Sequence, residues 1–154
     1  MNVMFLIAHP DDESYGPYGS IVKHVRAGDF VSVHCACNGK RPGAEEVWEG
    51  RVKAFQENVH EAGAVYSIYD NADLSLEVGD ATQFITSLMD VVKPEIVYTH
   101  DFGDLNRDHR IIAEAALVGC RPKPNSTVKA LYTFETLSST DWSFRQFKPA
   151  FEPN

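Results

Sequence analysis

Apolar residues recur with two periods along the chain, and the way these periods alternate predicts the fold. NVMFLIA (2–8) is a short continuous apolar run ended by a polar loop, which reads as a buried strand. Tyr18, Ile21, Val22 and Val25 follow at helical spacing, and Gly28 stops that helix. FVSVHCAC (30–37) predicts a second strand, followed by the turn-rich loop NGKRPGAEE. Trp48, Val52, Phe55, Val59 and Ala62 then step by four and three as one helical stripe, with Gly63 after it. AVYSIYD (64–70) predicts strand three. Phe84, Ile85, Leu88, Met89 and Val92 mark a third helix that ends before Pro94. EIVYTH (95–100) is strand four, Ile111, Ile112, Ala115 and Ala116 line one side of a fourth helix, and VKALYTFET (128–136) is strand five. Strands alternating with helices imply parallel β-α-β units, hence an α/β fold with a mostly parallel, doubly wound sheet between helical layers. No linker divides the chain, so residues 1–154 form a single domain. The stretch LSSTDWSFRQFKPAFEPN has no clear period and ends abruptly, which predicts a truncated or minimal C-terminal part.

Composition narrows the function classes. Hydrophobic and charged contents of 44% and 23% are those of an ordinary globular domain. A formal net charge of -8 argues against nucleic acid as a partner, because phosphate-backbone binders carry a basic face. No stretch approaches the roughly 20 apolar residues of a membrane span. The opening MNVMFLIA lacks the basic region of a signal peptide, so a cytoplasmic location is expected. Three cysteines, Cys35, Cys37 and Cys120, do not suggest a disulfide framework. Cys35 and Cys37, within one apparent strand, are expected to point to one face as buried thiols rather than metal ligands.

The chemistry concentrates at two strand ends. In an open parallel sheet, ligands bind at the carboxyl ends of the strands where the winding reverses. AHPDDE places His9, Asp11, Asp12 and Glu13 at the end of strand one. His9 and Asp12, three residues apart across a turn stiffened by Pro10, can converge on one divalent ion. Asp11 then stands beside the ion's water as a candidate general base. A solvated loop with an N-cap aspartate is the alternative. THDFGDLNRDHR (99–110) follows strand four, which the usual winding order places beside strand one. His109, in the first turn of the next helix, can supply a third ligand, and Asp108 can orient a ligand, unless Asp108 merely caps that helix and His109 lies on the surface. His100 either faces the same crevice or finishes a buried strand. Arg51 either reaches the crevice to bind an anionic or polyhydroxylated substrate or is solvated on its helix.

AHPDDE, with the later Asp-His pair of the second loop, resembles the LmbE/PIG-L metal-dependent de-N-acetylases. The resemblance runs from the N-terminus through about residue 136, and SSTDW is similar to bacterial members. It implies a Rossmann-like three-layer fold and hydrolysis of the acetyl group from an N-acetylglucosamine-type sugar or sugar conjugate. By motif it implies His9, Asp12 and His109 as ligands of Zn²⁺, with Fe²⁺, Co²⁺ or Mn²⁺ as alternatives. It makes Asp11 the base acting on a metal-bound water. Arg51 in GRVKAFQENVHEAGA maps to a substrate-contacting arginine, and Asp73 in NADLSL to an acid lining the sugar site. Many members carry His-Pro-Asp-His at the second motif, where this chain has Asn106-Arg107-Asp108-His109. Asn106 can donate a hydrogen bond to substrate but cannot act as an acid, so Asp11 must do both jobs or His100 must contribute. Members also usually continue further, so part of the pocket would be missing or supplied by another subunit; the sequence leaves a homo-oligomer open.

Two other readings compete. A receiver-type signalling domain also sets paired acids at the end of strand one to bind Mg²⁺, with Asp70 as phosphoacceptor. Against it, His9 and His109 are nitrogen ligands that Mg²⁺ does not favour, and Glu135 stands where a lysine would be expected. The third reading is a degenerate deacetylase relative that binds sugar without turnover.

Overall fold

A computed structural model of the chain describes residues 1–40, 43–73, 75–137 and 139–144. The irregular stretch at 145–154 lies outside the described residues. Five parallel strands, β1 (Asn2–Ile7), β2 (Phe30–Cys35), β3 (Val65–Ile68), β4 (Ile96–His100) and β5 (Ala130–Phe134), form one sheet in the order β3-β2-β1-β4-β5. The winding therefore reverses between β1 and β4, whose register pairs Val3 with Ile96 and Phe5 with Tyr98. Among the described residues, five helices accompany them: α1 (Asp12–Tyr15), α2 (Tyr18–Arg26), α3 (Glu45–Ala62), α4 (Val78–Val92) and α5 (Arg107–Gly119).

β1 is buried on both faces, which is why its sequence runs apolar without alternation. Val3, Phe5 and Ile7 pack with Ile21 of α2 and with Phe55 and Val59 of α3. Met4 and Leu6 pack on the other face with Ile85 and Met89 of α4 and with Ile112 and Ala116 of α5. The apolar stripes read from the sequence are thus the inner faces of two helical layers. α4 starts earlier than its apolar stripe, at Val78, and ends at Lys93 in the left-handed conformation just before Pro94. α3 ends on Gly63 at φ 82°, where a side chain would be strained.

One expectation fails in an informative way. Cys35 packs in the α2/α3 layer, whereas Cys37 packs in the α4/α5 layer. In a regular strand, successive N–H groups point to opposite sides. Here Ala36 N–H donates to Ile7 O at 3.0 Å and Cys37 N–H donates to Ala8 O at 2.8 Å, so both turn to the same side, towards the end of β1 and the residue after it. The pleat breaks where β2 ends, and Cys37 rotates to the opposite face from Cys35.

His34 on β2 is buried, with Nδ1 bonded to Ser67 Oγ at 2.7 Å, and burial lowers its pKa to about 4. Above its ordinary value of 6.5 both folded and unfolded states are neutral and no stability is lost. As pH falls from 6.5 towards 4, the unfolded chain takes up a proton that the folded chain refuses. This costs up to about 3 kcal/mol. Urea unfolding at pH 7 and pH 4.5 should show His34→Gln losing less stability on acidification than the parent chain.

Candidate metal centre

Strand ends β1 and β4 face each other across the switch point, and the two sequence motifs meet there. The AHPDDE acids separate by direction. Asp12 points inward, 3% exposed, and its Oδ2 accepts the backbone N–H groups of Ala8 at 3.1 Å and His9 at 2.7 Å. Asp11 faces a cavity of about 350 Å³, with Oδ2 3.4 Å from Arg51 Nη1. Glu13 turns towards α3, where its Oε1 accepts from Ser14 Oγ at 2.7 Å and Asn58 Nδ2 at 3.1 Å. The repulsion of three consecutive carboxylates is thus relieved by sending each to a different surrounding.

α5 brings in the second motif. Asn106 is its N-cap, and its Oδ1 accepts the Asp108 N–H at 2.9 Å. Because Asn106 does the capping, the Asp108 carboxylate is released to His9, whose Nε2 lies 3.0 Å from Asp108 Oδ2. His109 Nδ1 lies 3.0 Å from Asp104 Oδ2, and its Nε2 points at the first motif.

The resulting donor triangle has the dimensions of a metal site. His9 Nδ1 is 3.3 Å from His109 Nε2, His109 Nε2 is 3.2 Å from Asp12 Oδ1, and His9 Nδ1 is 3.6 Å from Asp12 Oδ2. Tetrahedral ligation at roughly 2.0–2.1 Å spaces donors roughly 3.3–3.4 Å apart, so the two histidine nitrogens and the two oxygens of the Asp12 carboxylate lie at the spacing such an ion requires. Each histidine turns its other nitrogen to a carboxylate, the arrangement that fixes tautomer and raises ligand basicity. The field favours positive charge. Burial opposes charge on His9, but hydrogen bonds to Asp108 and Asp12 outweigh it and raise its pKa to about 10. Burial likewise opposes charge on His109, and Asp12 and Asp104 raise it to about 9. Burial would raise Asp12, yet His109 and His100 hold it well below the usual carboxylate range. Asp11 is pushed up instead, first by burial and then by Asp12, with Arg51 and His9 opposing.

The remaining residues named from sequence divide into those that line the cavity and those that do not. Arg51, Asp73 and Asn106 line it with Asp11, His9 and His109. His100 does not: it is fully buried beneath the cluster, stacked on His109 with centroids 3.9 Å apart, and its Nε2 lies 3.3 Å from Asp12 Oδ2. Burial, then the charge of His109, lowers its pKa to about 4. The substrate contact expected of His100 does not fit this position, since it lies outside the cavity lining and packs against His109 and Asp12 instead. Asp70, the acid a receiver domain would phosphorylate, sits outside the cavity in an ion pair with Lys40 at 3.0 Å.

Sequence reasoning missed Asp104 and the segment after β5. Asp104 is 1% exposed; its Oδ2 accepts Ser139 Oγ at 2.8 Å and Thr140 Oγ1 at 2.9 Å, and its Oδ1 accepts Asn106 N–H at 2.8 Å. Burial opposes its charge, but His109 and these donors lower its pKa to about 2. Thr136 and Ser139 from the same segment also line the cavity. Asp104→Asn should weaken metal binding roughly 10–100-fold, as loss of such an outer partner does elsewhere, measured by competition with a chromophoric chelator.

Residues 4–119 match the family model PIG-L: GlcNAc-PI de-N-acetylase. The chain belongs to the PIG-L family. Comparison with curated proteins gives no match. Among solved structures, the chain is similar to the 4-carboxy-2-hydroxymuconate hydratase GalB of Pseudomonas putida, at 22% identity and a TM-score of 0.66 over 83% of this chain and 62% of that one. It is similar to the N,N'-diacetylchitobiose deacetylase of Pyrococcus horikoshii at 21% identity and 0.66, over 81% and 52%. It is also similar to the teicoplanin deacetylase Orf2 in its zinc-inhibited form at 15% and 0.72, over 87% and 68%. These likenesses establish the shared PIG-L fold. The chain spans less than two thirds of the length of the hydratase and of the chitobiose deacetylase. Among the described residues, no helix is long and apolar enough to cross a membrane.

Proposed function

We propose that this PIG-L domain is a zinc-dependent hydrolase that removes the acetyl group from an N-acetylglucosamine-type sugar or sugar conjugate. The observation that carries this reading is the meeting of a two-histidine, one-aspartate donor triangle with a raised, non-ligating carboxylate, Asp11, at one polar cavity. An ion held by His9, Asp12 and His109 would supply a Lewis acid for the acetyl carbonyl and for water.

The side chains supply the rest. Asp11 accepts the proton of the attacking water, a task that its raised basicity suits. Arg51, at 3.4 Å, fixes the direction of that carboxylate and offers a charge to substrate hydroxyls. The Asn106 amide oxygen is held by the Asp108 N–H, which leaves its amide N–H₂ as the end that can donate to the developing oxyanion. Asn106 carries no transferable proton, so protonated Asp11 returns its proton to the departing amine. Asp73, Thr136 and Ser139 add acceptors and donors for a sugar ring around the same cavity.

The family description and the chitobiose and teicoplanin deacetylases among the structural relatives support the reaction class, and the zinc-inhibited form of the latter supports a metal-responsive site. The test is acetate release from a panel of free, lipid-linked and nucleotide-linked N-acetyl sugars, run on metal-loaded and chelator-stripped protein. Metal-dependent release supports the proposal. Metal and sugar binding without release would identify a degenerate, sugar-binding relative and overturn it.

A further inference from the structure

His9 presents its two ring nitrogens to different neighbours. Nδ1 faces His109 and Asp12, whereas Nε2 lies 3.0 Å from Asp108 Oδ2 and 4.0 Å from Asp73 Oδ1. Cys37 joins this group: His9, Cys37 and Asp73 each offer a donor atom within 4.8 Å of the others. We propose that these three residues form a second, inhibitory site for a thiophilic divalent ion, Zn²⁺ in excess or Cd²⁺, which shares His9 with the catalytic centre.

Position, donor chemistry and charge all favour it. The break in the pleat after β2 carries Cys37 to the His9 side of the sheet and leaves Cys35 on the other, so only one thiol of the C-x-C pair is available. Thiolate, imidazole and carboxylate together prefer Zn²⁺ or Cd²⁺ to Mg²⁺ or Mn²⁺. Burial first, and then the charges of Asp108, Asp73 and Asp12, push the Cys37 thiol up, so it gives up its proton only as a divalent ion arrives to offset that negative surround. His9 Nε2 and Asp73 Oδ1 stand 4.0 Å apart, wider than the 3.2–3.6 Å of the first triangle. The second ion therefore draws His9 and Asp73 together, and the first, already closely spaced triangle fills before it. Its binding releases the thiol proton and the proton between His9 and Asp108 to solvent, with no change of oxidation state. It disconnects His9 from Asp108 and occupies Asp73 at the cavity wall. The inhibition rests on the proposed deacetylase activity, but the binding does not.

The experiment titrates Zn²⁺, Cd²⁺ and Mn²⁺ into the chelator-stripped full chain. It reads bound-metal content, the ultraviolet thiolate-to-metal charge-transfer band and acetate release. The parent chain should bind two equivalents of Cd²⁺ or Zn²⁺, the band appearing with the second Cd²⁺ and hydrolysis falling with the second Zn²⁺; Mn²⁺ should stop at one. Cys37→Ser should bind one equivalent, show no band and keep hydrolysing in excess zinc, while Cys35→Ser behaves as the parent. One equivalent in the parent chain, or a band that persists in Cys37→Ser, overturns the proposal. If Cys37→Ser does not fold, X-ray absorption on the two-equivalent parent decides: a sulfur neighbour at about 2.3 Å supports the site and its absence overturns it. Metal content and the band need no turnover, so they stand even where the deacetylase reading fails.

Discussion

Asp11→Asn should retain its metal and lower kcat for acetate release roughly 10²–10⁴-fold, the usual contribution of a positioned general base. The substitution keeps size and polarity at a cavity-facing position, and the donor triangle of His9, Asp12 and His109 does not include Asp11. The metal content should therefore match the parent chain. The loss should be large because, among the described residues that line the cavity, none other combines a raised carboxylate with freedom from the triangle. Asn106 cannot replace it in either direction of proton transfer. Near-parent activity with metal bound would show that another group takes the proton. Loss of metal along with activity would make Asp11 a ligand instead.

The parts of this site that follow from short-range pattern are legible in the sequence, and the parts that follow from chain packing are not. Continuous apolar runs alternating with helical stripes specify a parallel sheet, and the position of strand four beside strand one follows from the usual winding. His9, Asp12 and His109 could therefore be placed together from two motifs roughly a hundred residues apart. Asp108 offered two readings, a helix cap or a group that orients a ligand; Asn106 takes the cap, and the Asp108 carboxylate pairs with His9. Asp104 carried a fainter signal, an Asp two residues before an N-cap, which is an Asx-turn arrangement. Its partners Ser139 and Thr140 come from an aperiodic segment that only tertiary packing brings within 3 Å. Cys37 was misread because period-two reasoning assumes an unbroken pleat, and the break arises from two consecutive N–H groups turning to the same side. His100 was undecidable because a strand's last residue can face either the crevice or the core; its stacking on His109 settles it as buried support.

Asp12→Ala tests the site from the other side, because Asp12 is both a proposed ligand and a structural acceptor. The alanine should abolish stoichiometric metal binding. With chelator present in both samples, so that metal linkage does not contribute, it should also lower stability by roughly 3–5 kcal/mol, the usual cost of removing one partner from a buried charge cluster. In a chain of this length that corresponds to a fall in Tm of roughly 6–20 °C. The cause is local: the N–H groups of Ala8 and His9 lose the carboxylate they donate to, and the three histidines lose the anion they surround. Asp12→Asn separates the two roles. Its amide oxygen can still accept from both backbone groups, so much of the stability should return, while the anionic ligand, and with it the metal, stays absent. Equal destabilisation in the two variants would mean that charge alone holds this turn together; a stable alanine variant would mean that the turn does not depend on Asp12 at all.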